Sequence, residues 1–152
     1  LQVVCAPGHP LAKRRSVAAG ALVEHGYLSR EQGSGTREVT DHYLKRAGIE
    51  PGALNVVMEA SSPEALKGLV AAGMGFAIMS HLSVLKEVRL GLLVSIPLSP
   101  PITRQLTAVY PRERIQSGLV GAFVQFARRR LDAPPGDAIE GRELAISARN
   151  VP

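Results

Sequence analysis

The stretch REQGSGTREVTDHYLKRAG, Arg30–Gly48, decides the reading of this chain. A cluster of small residues, Gly33-Ser34-Gly35-Thr36, runs directly into a helical pattern in which Val39, Tyr43, Leu44 and Ala47 share a face, and Gly48 supplies a stop. Small residues before a helix leave backbone N–H groups open at the positive end of its dipole, where an anion is held without a metal. The preceding YLSR (27–30) reads as a strand, so this is a strand–loop–helix unit. A second unit follows at once. LNVVMEA (54–60) is a strand rich in β-branched residues, and SSPEALKGLVAAG (61–73) is a helix. Ser61 and Glu64 have capping-box spacing, Pro63 suits a first turn, and Gly73 is a stop. Ala65, Leu66, Leu69 and Val70 form its apolar face.

Outward from these units the alternation continues. LQVVCAP (1–7) is a buried strand closed by Pro7-Gly8, and a short helix is expected from Ser16. MGFAIMS (74–80), LGLLVSIPL (90–98) and ITRQLTAVYP (102–111) are further strands. QSGLVGAFVQFARRRL (116–131) is a last helix with Leu119, Val120, Phe123 and Phe126 as its apolar stripe. Beyond Leu131 no period is sustained, and residues 132–152 are expected to be a disordered tail. Strands alternating with helices imply an α/β fold with a mainly parallel sheet.

Composition narrows the function. The 152 residues suffice for one domain with a core, and no 18-residue apolar run or signal peptide is present. Aromatics are 4% with no Trp, which disfavours stacking platforms for bases or sugars. The net charge of +5 is uneven, because the acidic tail carries −2 and the body +7, a balance suited to anionic ligands. The basic runs AKRRS (12–16) and ARRRL (127–131) read as solvated faces. A single Cys5 excludes an internal disulfide and fits a reducing, cytoplasmic setting. The first residue is Leu and a strand begins at once, which suggests a fragment of a longer protein.

No phosphate-loop pattern is satisfied, and Glu38 stands where a dinucleotide fingerprint needs its third Gly. His9, His25, His42 and His81 lack zinc spacing, and there is no nucleophile elbow. Cys5 in an apolar strand reads as inert core. Catalysis, cofactors and metals are thus not expected. Ser34, Gly35 and Thr36, and in the second unit Ser61 and Ser62, remain as candidate ligand-binding residues. Both groups open helices after strands, and in open parallel sheets the ligand crevice lies at those strand ends. Each group also reads as a simple N-cap, and a cap and a ligand contact can coexist.

Four segments in order, VVCAPGHPLA (3–12), SREQGSGTRE (29–38), EASSPEALKGLVAAGMGFAIMS (59–80) and TAVYPRERIQSGLVGAFVQFARRR (107–130), resemble the effector-binding region of LysR-type transcriptional regulators. The resemblance implies a fold like the type 2 periplasmic binding proteins: two α/β lobes with a small effector in the cleft. His9-Pro10-Leu11-Ala12 is similar to the run that follows the first crossing into lobe two. By this resemblance residues 1–110 are lobe two with its hinge strands. The helix within 111–131 would pack on lobe one, which together with the winged helix-turn-helix is expected to lie outside this chain. Ser61 matches a ligand-contacting hydroxyl of sulfur-assimilation members, and Ser34, Gly35 and Thr36 match the loop that closes the cleft. A small effector, DNA contact only through the winged helix, and a homodimer or homotetramer follow from the same resemblance, and the two small-residue helix starts point to an anionic one. The alternatives are a periplasmic solute-binding protein, or an enzyme of two-lobed fold such as prephenate dehydratase. The enzyme would show a Thr-Arg-Asp-Phe-like run, where Thr36-Arg37 is followed here by Glu38-Val39.

Overall fold

The structure is a computed structural model that describes residues 1–104 and 118–132. It divides into two compact units, Leu1–Ile102 and Thr103–Pro152. Of the strand expected over 102–111, residues 105–111 lie outside the described residues, as do residues 133–152 of the tail expected over 132–152, whose Asp132 is the last residue of the final helix.

The first unit follows the alternation read from the sequence. Its elements are β1 (Gln2–Cys5), β2 (Val17–Ala18), β3 (Gly26–Arg30), α1 (Gly35–Arg46), β4 (Asn55–Ala60), α2 (Pro63–Ala71), β5 (Ala77–Met79), α3 (Leu85–Arg89) and β6 (Val94–Ser99). A four-stranded ladder runs in the order β2-β6-β1-β5, and β3 and β4 form a separate parallel pair. One parallel bridge, Tyr27↔Phe76, joins the two through Leu28 N–H to Phe76 O (2.8 Å) and Phe76 N–H to Gly26 O (2.9 Å).

Strand direction follows from these pairings. β6 parallels β2, and β3 parallels both β4 and the start of β5. β1 alone opposes its neighbours, antiparallel to β5 through Val3↔Ile78 and to β6 through Val3↔Ile96. The fold is α/β with its strands mainly in one direction, and one reversed strand sits inside the sheet.

The alternation along β1 explains its place. Val3 and Cys5 face one apolar cluster with Leu11, Leu44, Phe76 and Ile78. Val4 faces the other with Leu28, Leu66, Val70, Met79 and Leu93. Both faces are covered, which is why the strand reads as an unbroken apolar run. Each fully buried Leu or Val stabilises by about 1.5–3 kcal/mol.

Two local readings change. No helix starts at Ser16; Val17–Ala18 pair with Leu98 and Ser99 of β6, and Ala19–Leu22 form a 3₁₀ turn. Burying Val17 completely against the sheet outweighs the capping preference of Ser16. The five-residue α3 is an element the sequence did not announce.

The second unit contains α4 (Gly118–Asp132). Its Leu119, Phe123 and Phe126 are exposed (83%, 66% and 61%), and Val120 is half-buried.

Candidate functional site

β3 and β4 run in parallel register, with Ser29 opposite Glu59 and Arg30 opposite Ala60. Both strands therefore end at the same edge, and each feeds a helix N-terminus. The two small-residue loops read from the sequence are thus neighbours at one strand edge, the place where open α/β sheets hold ligands.

The first loop is built by backbone. Gly33 takes φ +85°, a left-handed conformation that suits glycine. The Ser34 N–H donates to Glu31 O (3.2 Å), and Ser34 O accepts from Glu38 N–H (3.0 Å), the first helical bond of α1. Ser34 is a buried residue and the N-cap by position, yet its side chain makes no cap bond. Gly35 is exposed, and a Cβ there would meet nothing within 4 Å. Thr36 is half-buried, and its carbonyl accepts from the Thr40 hydroxyl (2.9 Å).

In the second loop the capping residue is Ser62, not Ser61. The Ser62 Oγ accepts from Ala65 N–H at 3.4 Å. Pro63 occupies the first helical turn, so the residue before it becomes the cap and Glu64 falls one place short of capping-box position. Glu64 instead pairs with Lys67 (2.9 Å). Ala65, expected on the apolar face, is exposed, whereas Leu66 and Val70 are buried. Ser61 is exposed, and its carbonyl accepts from Arg30 Nη2 (3.4 Å).

A charged cluster ties the two loops together. Arg30 forks onto Glu31, with Nε to Oε2 at 2.7 Å and Nη2 to Oε1 at 2.8 Å. Arg37, in the first turn of α1, donates through Nη1 to Arg30 O (3.0 Å) and to Glu59 Oε2 (2.5 Å), with Asp41 4.0 Å away. The Arg30 hydrogen bonds hold the Glu31 carboxyl below its ordinary value of 4.5, and Glu31 raises Arg30 in turn. Arg30, Arg37 and Glu59 were not among the residues the sequence singled out. The available signal was an Arg on each flank of Gly33-Ser34-Gly35-Thr36, seven positions apart.

Burial pushes the Cys5 thiol up to about 11. His9 and His25 meet edge-on at 5.0 Å, and no group of three potential metal ligands occurs among the described residues. No described helix is long and apolar enough to cross a membrane.

The family profile described as the LysR substrate binding domain matches residues 1–132. The chain belongs to the LysR substrate-binding domain family. Curated relatives of this LysR domain are transcriptional regulators. The "RuBisCO operon transcriptional regulator" of Allochromatium vinosum is 33% identical over 129 residues, covering 83% of this chain and 41% of that protein. The "HTH-type transcriptional regulator CbbR" of Cereibacter sphaeroides is 37% identical over 113 residues, covering 74% of this chain and 36% of that protein. The LysR domain described here thus spans about two-fifths of the length of these relatives. Among solved structures, the effector-binding domain of QuiR in complex with shikimate superposes with a TM-score of 0.57 at 25% identity, covering 66% of this chain and 45% of that one. The Synechocystis PCC6803 CcmR regulatory domain in complex with 2-PG gives 0.65 at 24% identity, covering 82% and 59%, a likeness of fold. The type 2 periplasmic-binding-protein-like fold is therefore that of this LysR domain.

Proposed function

We propose that the β3/β4 edge is one wall of the effector site of a LysR-type transcription regulator. The effector is a small anionic metabolite, and Ser34, Gly35, Thr36, Ser61 and Ser62 present amides and hydroxyls to it. The observation that carries this reading is the side-by-side placement of two helix N-termini at parallel strand ends, tied by Arg30 to the Ser61 carbonyl. Two such termini concentrate unpaired N–H groups and positive dipole ends at one place. The net charge of +5 favours the approach of anions, and the QuiR domain, similar in sequence and fold, is in complex with a carboxylate, shikimate.

The remaining features fit the same reading. The domain senses and does not catalyse, and it works in the cytoplasm. A first lobe supplies the opposite wall, and the exposed Leu119, Phe123 and Phe126 face of α4 docks on that lobe. DNA is contacted by a winged helix-turn-helix elsewhere in the full-length protein, which is a homodimer or homotetramer. The effector shifts the balance of two states only by binding one more tightly than the other.

Isothermal titration of shikimate and inorganic phosphate into the full-length protein tests this, with Ser61→Ala and Thr36→Val as probes. Weaker binding in either variant supports the site. Affinity unchanged in both removes these residues from it.

A further inference from the structure

At the edge where the two helix N-termini meet, the charge is not simply positive. Arg30 and Arg37 are accompanied by Glu31, Asp41 and Glu59. Within this cluster two guanidiniums and three carboxylates leave one net negative charge. An incoming anion therefore meets repulsion unless one carboxylate leaves.

Three observations identify which one leaves. Glu31 places both of its oxygens on the Arg30 fork (2.7 and 2.8 Å), the geometry that a bound carboxylate or phosphate would itself adopt. The fork lies against the second loop, because Arg30 Nη2 is also 3.4 Å from Ser61 O. Arg30 is itself mostly buried, with 18% of its side chain exposed, whereas Glu31 is 34% exposed and belongs to the loop before α1. Glu31 can swing out to solvent by a side-chain rotation, leaving Arg30 in place. The other two acids are engaged elsewhere: Glu59 and Asp41 accompany Arg37, whose Nη1 also holds the end of β3 through Arg30 O. Removing either would loosen the frame of the site.

The geometry points to Glu31 as a resident anion that occupies the Arg30 fork until an anionic effector displaces it, with Arg30 as the residue that selects for an anionic group. The inference deepens the effector-site reading above and rests on it. Glu31 sets a threshold: it lowers the affinity for every anion by the cost of breaking its own pair. It also keeps the guanidinium satisfied while the site is empty. Partly exposed pairs of this kind are weak, so the threshold is at most about fivefold in affinity.

Isothermal titration of inorganic phosphate into the full-length protein at fixed ionic strength tests it, comparing wild type, Glu31→Gln, Arg30→Gln and Ser61→Ala. Glu31→Gln is expected to bind phosphate about two- to fivefold more tightly. Arg30→Gln is expected to lose most of the binding. Unchanged or weaker binding in Glu31→Gln, while Ser61→Ala still weakens it, overturns the role of Glu31 and leaves the site standing. Identical affinity in all four proteins, or no binding in wild type and Glu31→Gln alike, overturns both.

Discussion

Replacing Gly75 by Ala should break the junction on which the candidate site hangs. A Cβ at Gly75 would overlap the carbonyl oxygen of Gly26 and stand 2.9 Å from its carbon. Both are backbone atoms of β3 and cannot swing aside. The same carbonyl accepts from Phe76 N–H (2.9 Å), and Leu28 N–H donates to Phe76 O (2.8 Å), so relieving the overlap parts both hydrogen bonds of the bridge. Each is worth about 1 kcal/mol, and more if its partner is left buried and unpaired. The Tyr27–Phe76 ring pair, 5.2 Å between centroids, adds about 0.5–1.5 kcal/mol. These terms come to about 2.5–3.5 kcal/mol before any penalty for groups left unpaired, a large share of the roughly 5–15 kcal/mol that holds a typical domain. Gly68 is the matched control. It is exposed in the middle of α2 with nothing within 4 Å of a Cβ, so Gly68→Ala should stabilise by about 0.5–1 kcal/mol. Urea unfolding followed by far-UV circular dichroism reads both. A Gly75→Ala protein within about 1 kcal/mol of wild type would refute the close-approach argument, since no side chain is available to absorb the clash.

Further outcomes are expected. Ser62→Ala should cost about 0.5–1 kcal/mol of unfolding free energy and Ser61→Ala almost none, because only the Ser62 hydroxyl caps α2; equal effects would restore Ser61 as the cap. Leu66→Ala, at a fully packed position, should cost about 2–5 kcal/mol by the same urea measurement. Native Cys5 should resist iodoacetamide at pH 8 and react only on unfolding, since its thiol is buried and pushed up to about 11; rapid alkylation of the folded chain would contradict its burial. Acid should destabilise in two stages. Burial and His25 lower His9 in the folded state, so the unfolded chain takes the proton first and stability begins to fall below about pH 6.5. Hydrogen bonds from Arg30 and Lys67 lower Glu31 and Glu87, so their contributions, present above about pH 4.5, are lost as pH falls through the folded values. A melting temperature flat from pH 7 to pH 4 would contradict the first stage, and one that held from pH 4.5 to pH 3 would contradict the second.

Much of the layout was legible because local signals carry it. The limits of α1 follow from Gly33 through Thr36 and from Gly48, whose φ of +75° is the glycine stop the sequence implied. The juxtaposition of the two loops was legible too, since strand–loop–helix units in parallel place successive helix starts at one edge. What escaped is non-local. Periodicity says that Val3, Val4 and Cys5 are buried but not which way their strand runs, and the reversal of β1 is fixed by partners more than 70 residues away. Val17 lost its expected helix to a partner, Leu98, just as distant. The Arg37–Glu59 pair joins residues 22 apart, and neither looks special alone. The shift of the cap from Ser61 to Ser62 was a local error: Pro63 fixes the register of the helix start more firmly than the distance to Glu64 does.

The reversed central strand also has a consequence in time. On a ribosome, Gln2–Cys5 emerges long before Ala77–Met79 and Val94–Ser99, the two strands between which it must lie. Its apolar Val3, Val4 and Cys5 have no ladder to join until nearly the whole unit has been synthesised. β3 and β4 can pair with only the 24 residues 31–54 between them, and α1 and α2 can form as they appear. The edge carrying the candidate site can thus assemble early, while the centre of the sheet closes last, at a high loop-closure cost. During that interval the waiting strand is the part of the chain most exposed to mispairing with another copy, and a delay in translation between β1 and β6 lengthens the exposure.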